Sequence, residues 1–375
     1  LERELGSRPR RFESCPLRIY ILMKSFSLLL ISSFIFFSCS DSFGQEELIA
    51  QEETFIDWKN LDLTKEWTAG TSNSIGINSD KLIIGLNNIY QLLDLYSIGI
   101  VYKGKLITEN YAVGNKESLY RTFSVTKSIL SALYGHIIDK KILTNDSLKI
   151  DEFFAIEDST KKSIRINHLL TMTSGVGDDI SYVQRSNSIS YILDKDLIFD
   201  PGTWWQYTSA GTHLLSGIFT KITNQSAGEY AKQYFFPELG ITNFIWQKDP
   251  SGNSNGGYGL QLRLRDMLKF GHLFLQDGKT ANGQILSSNW INVSTNKLVN
   301  FSSTFGYGYL WWINISNGQP IYYAVGYGGQ YIIIDESRAL VIAVTSSAGS
   351  SSQYRNQLLD IIFSDLINSF DKVSF

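Results

Sequence analysis

The sequence contains very little cysteine. Of its 375 residues only Cys15 and Cys39 are cysteines, and both lie near the N-terminus. The chain from residue 61 onward therefore has neither a disulfide nor a thiol nucleophile, which excludes a disulfide-stapled scaffold and a cysteine-based mechanism. Only six residues are proline, 43% are hydrophobic and there is no low-complexity tract, which excludes a disordered chain. The chain is expected to fold around a large core.

An excess of one charge and metal-ligand patterns are also absent. The formal net charge is -3, and lysines and arginines are scattered among the acids. No basic stripe therefore predicts binding to nucleic acid. The histidines fall in helical patterns without metal-ligand spacing; they are His136, His168, His213 and His272. No P-loop, Gly-x-Ser-x-Gly or His-Glu-x-x-His motif occurs. The sequence predicts neither a metal nor an organic cofactor.

The N-terminal region has the pattern of an export signal. Residues 1–22 lack an initiator Met and are interpreted as a non-native or upstream extension. In residues 23–38, Lys24 precedes an apolar run that is too short to span a membrane, which predicts a signal peptide. Cys39 follows in a context that resembles a lipoprotein cleavage site, so lipidation is predicted there, with simple cleavage nearby as the alternative. Residues 39–60 are polar and are expected to form a tether or a disordered leader.

Strand patterns occur at both ends of the remaining chain, with helical patterns between them. The predicted strands are Ser97–Val101, Lys105–Tyr111, Tyr307–Ile313, Ile321–Val325, Tyr331–Ile334 and Leu340–Thr345. The predicted helices are Val125–Lys140, His168–Met172, Thr212–Ile222, one across Leu264–Leu275, and Gln353–Phe370.

This order predicts an α/β fold of the α+β type, in which an antiparallel sheet is flanked by helices. Residues 61–375 are expected to form one domain. Its sheet part comes from residues 61–140 and 256–375, and a mostly helical region, 141–255, is inserted between them. A parallel doubly wound sheet fits less well, because no helices separate the last four strands.

Ser124 and Lys127 stand out by their spacing and setting. They lie one helical turn apart at the start of an apolar helix, so both side chains emerge on one face. A serine hydroxyl needs a neighbouring base to become nucleophilic, and burial lowers the pKa of a lysine enough to make it one. The unpaired N–H groups of the helix N-terminus also favour developing negative charge. The pair predicts a nucleophile with its base.

The spacing alone is not specific. The same Ser-x-x-Lys pattern recurs at Ser159, Ser294 and Ser369, where solvated surface pairs are expected. An isolated helix would also accept Ser124 as a simple N-cap. Ser124 differs from the other three serines because a predicted hairpin precedes it and a strongly apolar helix follows it.

Three segments, in order, resemble the motifs of the serine β-lactamase-like hydrolases. They are Phe123–Ser128, Asp200–Ser209 and Tyr327–Gln330. That family includes class C β-lactamases, D-Ala-D-Ala carboxypeptidases, related esterases and 6-aminohexanoate-dimer hydrolases. The resemblance covers residues 61–375. It implies a β-lactamase/transpeptidase-like fold, a Ser124 acyl-enzyme and no cofactor.

The resemblance also implies roles for individual residues. Tyr207 would relay a proton between the nucleophile and the leaving group, with its pKa lowered by the neighbouring lysine cation. Gly329 would lie on the substrate strand, and the backbone N–H of Gln330 would join that of Ser124 in an oxyanion hole. Ser209 stands where asparagine is more common.

Three further segments bear on the substrate. Tyr182, between the first two motifs, Ser209 and Tyr327 are possible substrate-binding residues. Relatives that recognise β-lactams or D-Ala termini commonly place a cation in the third motif to hold a carboxylate, and Tyr327 offers none. Tyr354-Arg355-Asn356 repeats the Tyr-x-Asn pattern but follows the third motif, so it is interpreted as a chance match.

The sequence therefore predicts an exported, periplasmic or cell-envelope serine hydrolase that cleaves amide or ester bonds in small molecules or peptide-like oligomers. An esterase or amidase ranks above a β-lactamase or D-Ala-D-Ala carboxypeptidase. The alternative from another class is a penicillin- or peptidoglycan-binding protein that acylates without turnover, and a structural lipoprotein is a third. Nothing in the sequence predicts the oligomeric state or the natural substrate.

Overall fold

A computed structural model describes residues 56–316 and 318–373. The strands are β1 Thr68–Ala69, β2 Leu95–Tyr102, β3 Lys105–Tyr111, β4 Tyr120–Arg121, β5 Ile245–Trp246, β6 Leu260–Leu262, β7 Lys279–Thr280, β8 Gly283–Gln284, β9 Val299–Asn300, β10 Phe305–Tyr307, β11 Trp312–Ser316, β12 Gln319–Gly326, β13 Gln330–Asp335 and β14 Leu340–Ser346. The α-helices are α1 Ser79–Tyr90, α2 Val125–Asp139, α3 Ile166–Leu170, α4 Ser188–Asp194, α5 Ser209–Thr223, α6 Ala227–Tyr230, α7 Leu264–Leu275, α8 Ser288–Thr295 and α9 Ser352–Ile361.

The main sheet is built from both ends of the chain, as the sequence predicts. Its nine strands run in the order β1-β3-β2-β14-β13-β12-β11-β10-β9. Neighbouring strands are antiparallel except β1, which pairs in parallel with β3. The join between the two ends is β2 against β14, where Ile100 lies opposite Ile342. The predicted antiparallel sheet flanked by helices is confirmed.

Helices cover both faces of this sheet. Along β13, Ile332 and Ile334 contribute to one hydrophobic cluster, while Tyr331 and Ile333 contribute to the other, because successive side chains of a strand point to opposite faces. The first cluster contains α2, α5 and α7, and the second contains α1 and α9. The helices of the inserted region, α3 to α6, extend the first cluster away from the sheet.

Several boundaries differ from the sequence prediction. The segment expected as one strand, Tyr307–Ile313, is two strands, β10 and β11, because Leu310 takes a left-handed φ of +63° and turns the chain. The closing helix is regular only over α9, and wider and tighter turns follow it up to residue 369. Helix α1 and the small sheet β4-β6-β5 were not predicted.

The start of the folded region also lies earlier than expected. The described residues begin at 56, inside the predicted tether. In this segment the Trp58 carbonyl accepts a hydrogen bond from His272 of α7 at 2.9 Å. Leu63 is buried. The described end of the predicted tether is therefore packed against the domain. The predicted signal peptide and Cys39 lie outside the described residues. Within 56–316 and 318–373, no helix has the length and apolarity needed to cross a membrane.

Candidate active site

Ser124 lies at a sharp corner between a short strand and a buried helix. The corner is anchored at Thr122, which donates to the Leu260 carbonyl through both its backbone N–H, at 3.0 Å, and its hydroxyl, at 2.9 Å. Phe123 then takes the left-handed conformation with φ +47°, which strains a residue that has a Cβ. Ser124 follows at the N-terminus of α2. Its side chain is half-buried, whereas residues 125–137 are buried.

The interpretation of Ser124 as a simple N-cap does not hold. Ser124 occupies the N-cap position, but its side chain makes no capping hydrogen bond. Its Oγ accepts instead from Lys127 Nζ at 3.0 Å. The hydroxyl is therefore oriented by the lysine rather than by the helix backbone.

Lys127 is buried with three hydrogen-bond acceptors around its amine. Besides Ser124 Oγ, these are the Gly257 carbonyl at 2.6 Å and Ser209 Oγ at 3.2 Å. Only 1% of the lysine is exposed. Burial lowers the pKa of Lys127 to about 7, and the nearby negative charge of Asp178 acts in the opposite direction. A large fraction of the amine is therefore neutral near neutral pH, as a proton acceptor must be.

The Gly257 carbonyl reaches Lys127 because residue 257 has no side chain. A Cβ there would lie 2.8 Å from Ser209 Cβ and 3.0 Å from the Tyr182 hydroxyl. The Gly257 N–H donates to Asn255 Oδ1 at 3.0 Å, and the same oxygen accepts from the Tyr182 hydroxyl at 3.1 Å. Asn255 thus fixes the loop that supplies a partner to the lysine.

Tyr207 is the second side chain near Ser124, the candidate nucleophile. The Ser124 side chain is near enough to its phenol to lower the pKa of Tyr207, and Lys127 Nζ lies 4.8 Å from the Tyr207 ring centroid. Burial raises the pKa of Tyr207, and the nearby Ser124 side chain offsets only part of that effect. The expectation of a lowered pKa is wrong, because burial disfavours the phenolate and Lys127 itself tends to lose its charge. Tyr207 is a neutral phenol here.

Ser209 and Tyr182 support the lysine from inside the protein. Ser209 is 7% exposed, and its backbone N–H donates to Asp178 Oδ1 at 2.6 Å. Tyr182 is fully buried and stacks on His213 with ring centroids 4.5 Å apart. A side chain with no exposed surface cannot touch a substrate, so the expected substrate contact of Tyr182 is wrong.

The third motif lies against the Ser124 corner. The Tyr327 and Phe123 rings meet edge to face at 5.8 Å. A Cβ at Gly326 would lie 2.2 Å from the Thr122 carbonyl oxygen, so the two backbones are in close contact. Tyr327 is 61% exposed and is free to meet a ligand.

Gly329 and Gln330 occupy the turn and the first position of β13. Gly329 has φ +96°, a left-handed conformation that accounts for its glycine. The Gln330 side chain points inward, where its amide donates to the carbonyls of Tyr327 and Ser346 at 3.1 and 2.9 Å. Only the main chain of Gln330 therefore remains for a role at Ser124.

A model of one protein family matches most of the described chain. The model is described as Beta-lactamase, and it matches residues 95–365. The chain belongs to the Beta-lactamase family. The matched stretch contains all three motif segments and both halves of the main sheet.

Solved structures of Beta-lactamase relatives share the fold at low sequence identity. A putative 6-aminohexanoate-dimer hydrolase from Bacillus anthracis superposes with a TM-score of 0.66 at 19% identity, covering 83% of this chain and 89% of that one. A β-lactamase/D-alanine carboxypeptidase from Pseudomonas syringae gives 0.64 at 15% identity, with coverage of 76% and 98%. At such identities the likeness shows the fold alone.

A curated relative matches over a shorter stretch. A probable fimbrial assembly protein FimD of serogroup H1 from Dichelobacter nodosus is 30% identical over 129 residues. The match spans 32% of this chain and 33% of that protein, so it reaches only about a third of the relative's length.

Two arginines at the candidate active site of this Beta-lactamase-family chain were missed from the sequence. The Arg355 guanidinium lies 5.6 Å from the Tyr327 ring centroid, and that of Arg121 lies 4.6 Å from the Phe123 ring centroid. The third motif has no cation of its own, but positive charge stands beside it. Arg355 belongs to the Tyr354–Asn356 segment interpreted as a chance match, and its place becomes clear only when α9 packs on the sheet.

A second polar cluster was also missed. Ser188 Oγ and Asp249 Oδ2 lie 2.9 and 3.0 Å from the same nitrogen, Nε2, of His213. All three residues are buried. They come from segments far apart in the chain, which is why spacing gave no signal. In the described part of this family member, no cluster of His, Cys, Asp or Glu could hold a metal ion.

Proposed function

We propose that the protein is an exported serine hydrolase that cleaves ester or amide bonds through a Ser124 acyl-enzyme. The observation that carries this proposal is the buried Lys127 amine, 3.0 Å from Ser124 Oγ. The Beta-lactamase family and the fold of its hydrolase relatives support the general class. Side chains around Ser124 supply the finer assignment.

In the first step the Ser124 oxygen attacks the substrate carbonyl and its proton passes to neutral Lys127. A lysine with a pKa near 7 can both accept this proton and release it again at neutral pH. The backbone N–H groups of Ser124 and Gln330 are the proposed donors to the oxyanion.

The leaving group then departs with a proton from Tyr207. The phenol is protonated because burial raises its pKa, and it lies near Ser124, where the bond to the leaving group breaks. Lys127, now an ammonium beside the Tyr207 ring, is the source that restores the phenol. Water subsequently attacks the acyl-enzyme as the same groups act in reverse, which frees the acid and regenerates Ser124.

Active-site labelling tests the assignment directly. The protein is incubated with a fluorophosphonate, and intact mass reports one adduct. Ser124→Ala should abolish the adduct. Ser159→Ala is the matched control, because Ser159 belongs to an exposed Ser-x-x-Lys pattern, and it should label like wild type. Persistence of the adduct in Ser124→Ala would overturn the proposal.

A second candidate, β-lactamase or D-Ala-D-Ala carboxypeptidase activity, is favoured by Arg355 and Arg121. Their guanidinium groups could hold a substrate carboxylate beside Tyr327.

A panel of short-chain esters, D-amino-acid amides, cephalosporins and aminohexanoate oligomers separates the candidates. If the protein is an esterase or amidase, Arg355→Ala should leave the turnover of neutral substrates unchanged. If the arginines bind a carboxylate, the same variant should raise KM selectively for substrates that carry a carboxylate. A penicillin adduct that never turns over would instead indicate a binding protein.

The proposed location rests on residues 23–39. Expression with radiolabelled palmitate should label the wild-type protein and leave Cys39→Ala unlabelled. If the protein is exported without lipidation, the wild type and Cys39→Ala should both be processed and neither should be labelled. A protein found unprocessed in the cytoplasm would contradict export.

A further inference from the structure

An aromatic cleft lies next to Tyr207. The cleft has a volume of about 820 Å³ and is walled by five aromatic side chains; they are Trp204, Trp205, Phe301, Phe305 and Trp312. Trp204 and Phe301 are 70% and 39% exposed, so their rings are not committed to the core. Solvent-facing aromatics gathered around one cavity are unusual on the surface of a monomeric protein and typical of a ligand site.

Two aromatic residues that line the cleft contact Tyr207. Trp312 stacks on Tyr207 with ring centroids 6.1 Å apart and planes at 19°, and it also stacks on Phe305 at 5.6 Å. Trp205 also contacts the Tyr207 ring at 6.4 Å. A row of contacting aromatic rings therefore connects Tyr207, the proposed proton donor, with the lining of the cleft.

No charged side chain lines this cleft among the described residues. Besides the aromatics, the lining consists of aliphatic, hydroxyl, amide and glycine groups and His168. Burial lowers the pKa of His168, with Arg165 acting in the same direction, so the imidazole stays neutral at neutral pH. Such surroundings would penalise an ionised ligand group and favour an apolar one. The Tyr327 side of Ser124 differs, since two guanidinium groups stand there.

We infer that the cleft binds the leaving-group portion of the substrate, and that this portion is an uncharged apolar alcohol or amine. The leaving group must lie beside the group that protonates it, and the cleft adjoins Tyr207. The inference rests on the proposed function for the identity of the reaction, but the binding of an apolar group stands independently.

Hydrolysis of n-alkyl acetates from ethyl to octyl tests the inference, because these alcohols differ in length but hardly in reactivity. Acetate release should show kcat/KM rising about two- to fourfold per added methylene until the cleft is filled. Trp204→Ala and Phe301→Ala should each lower the octyl-to-ethyl ratio about tenfold, and Trp204→Phe should restore most of it. An ammonium at the chain end, in 6-aminohexyl acetate, should cost at least about tenfold against hexyl acetate.

Tyr234→Ala is the matched control, since Tyr234 is a 45% exposed aromatic that lines a different cavity. It should leave the octyl-to-ethyl ratio unchanged. Binding of 1-hexanol to the Ser124→Ala protein, followed by NMR titration, provides a readout without catalysis. If no acetate is hydrolysed but hexanol binds and Trp204→Ala weakens it, the proposed function fails and the subsite stands. If acetates are hydrolysed with no dependence on length, or the cleft variants change neither ratio nor binding, the subsite is overturned.

Discussion

Two polar clusters in the described part of the chain contain a serine beside a possible proton acceptor, and they differ in their access to solvent. In the first, Ser124 is half-buried and Lys127, its proposed base, is fully buried. In the second, Ser188, His213 and Asp249 have the composition of a hydrolase triad, but all three are closed off from solvent.

Geometry separates the two clusters further. In a working triad the serine and the carboxylate bind opposite nitrogens of the imidazole, so that a proton can cross the ring. Here both contact Nε2 of His213, while Nδ1 accepts the Gly256 N–H at 3.3 Å. Because Nδ1 accepts the Gly256 N–H, the hydrogen bonds place a ring proton on Nε2, so Nε2 cannot accept a proton from Ser188. The second cluster satisfies buried polar groups, and composition alone would have misplaced the chemistry.

Replacing the serine of each cluster should give the largest difference in activity between the two clusters. Ser124→Ala is expected to reduce kcat/KM for short-chain esters by at least about a thousandfold, because no other hydroxyl occupies the nucleophile position. Ser188→Ala should retain more than about a tenth of the activity and the full fluorophosphonate adduct. Loss of the adduct in a folded Ser188→Ala protein would show that the buried cluster takes part in the chemistry.

Lys127→Met should cost almost as much activity without costing stability. The variant removes the base, so a loss of about a thousandfold in kcat/KM is expected. It also removes a buried amine whose charged form is disfavoured, so the melting temperature should stay the same or rise. Lys162→Met, in the surface Ser-x-x-Lys pattern, is the control and should change neither quantity. A large drop in melting temperature for Lys127→Met would assign the lysine a structural role.

The sequence predicted the first cluster far better than the second. Ser124 and Lys127 are one helical turn apart, so local periodicity alone places them together. Tyr207 was found only through resemblance to family motifs. Ser188 and Asp249 are 61 positions apart and meet only when the inserted region folds, and no local pattern encodes that contact.

The same limit explains the errors in the fold. Strands β12 to β14 have strong alternating patterns and were found close to their observed positions. Strand β4 has two residues, too few for a pattern, although it sets the corner before Ser124. The prediction of a lowered pKa for Tyr207 was wrong for the same reason. A charged neighbour can be read from the sequence, but the burial that outweighs it depends on the whole fold.

Asp249→Ala should affect stability rather than chemistry. Burial alone would raise the pKa of Asp249, but hydrogen bonds from His213, Asn253 and Ser188 lower it below the usual carboxylate range. Removing the carboxylate leaves these donors buried without an acceptor, so the free energy of unfolding should fall by about 3 kcal/mol in urea titration. Asp360→Ala, at an exposed position of α9, should change it by less than about 0.5 kcal/mol. Equal effects would mean that the buried cluster contributes nothing to stability.

Asp178→Asn should give the smallest effect, a shift in pH dependence. Only neutral Lys127 accepts the Ser124 proton, so kcat/KM should rise with pH through about 7. The charge of Asp178 raises the pKa of Lys127, so removing this charge should move the acid limb of the pH profile to lower pH. The amide of the variant keeps an oxygen that can still accept the Ser209 N–H. Added salt should shrink the difference between variant and wild type, because Asp178 is exposed and screened. Asp179→Asn is the matched control, since that carboxylate binds Ser181 and Tyr191 instead, and its limb should stay in place. A shift to higher pH in Asp178→Asn would mean that the limb does not report the deprotonation of Lys127.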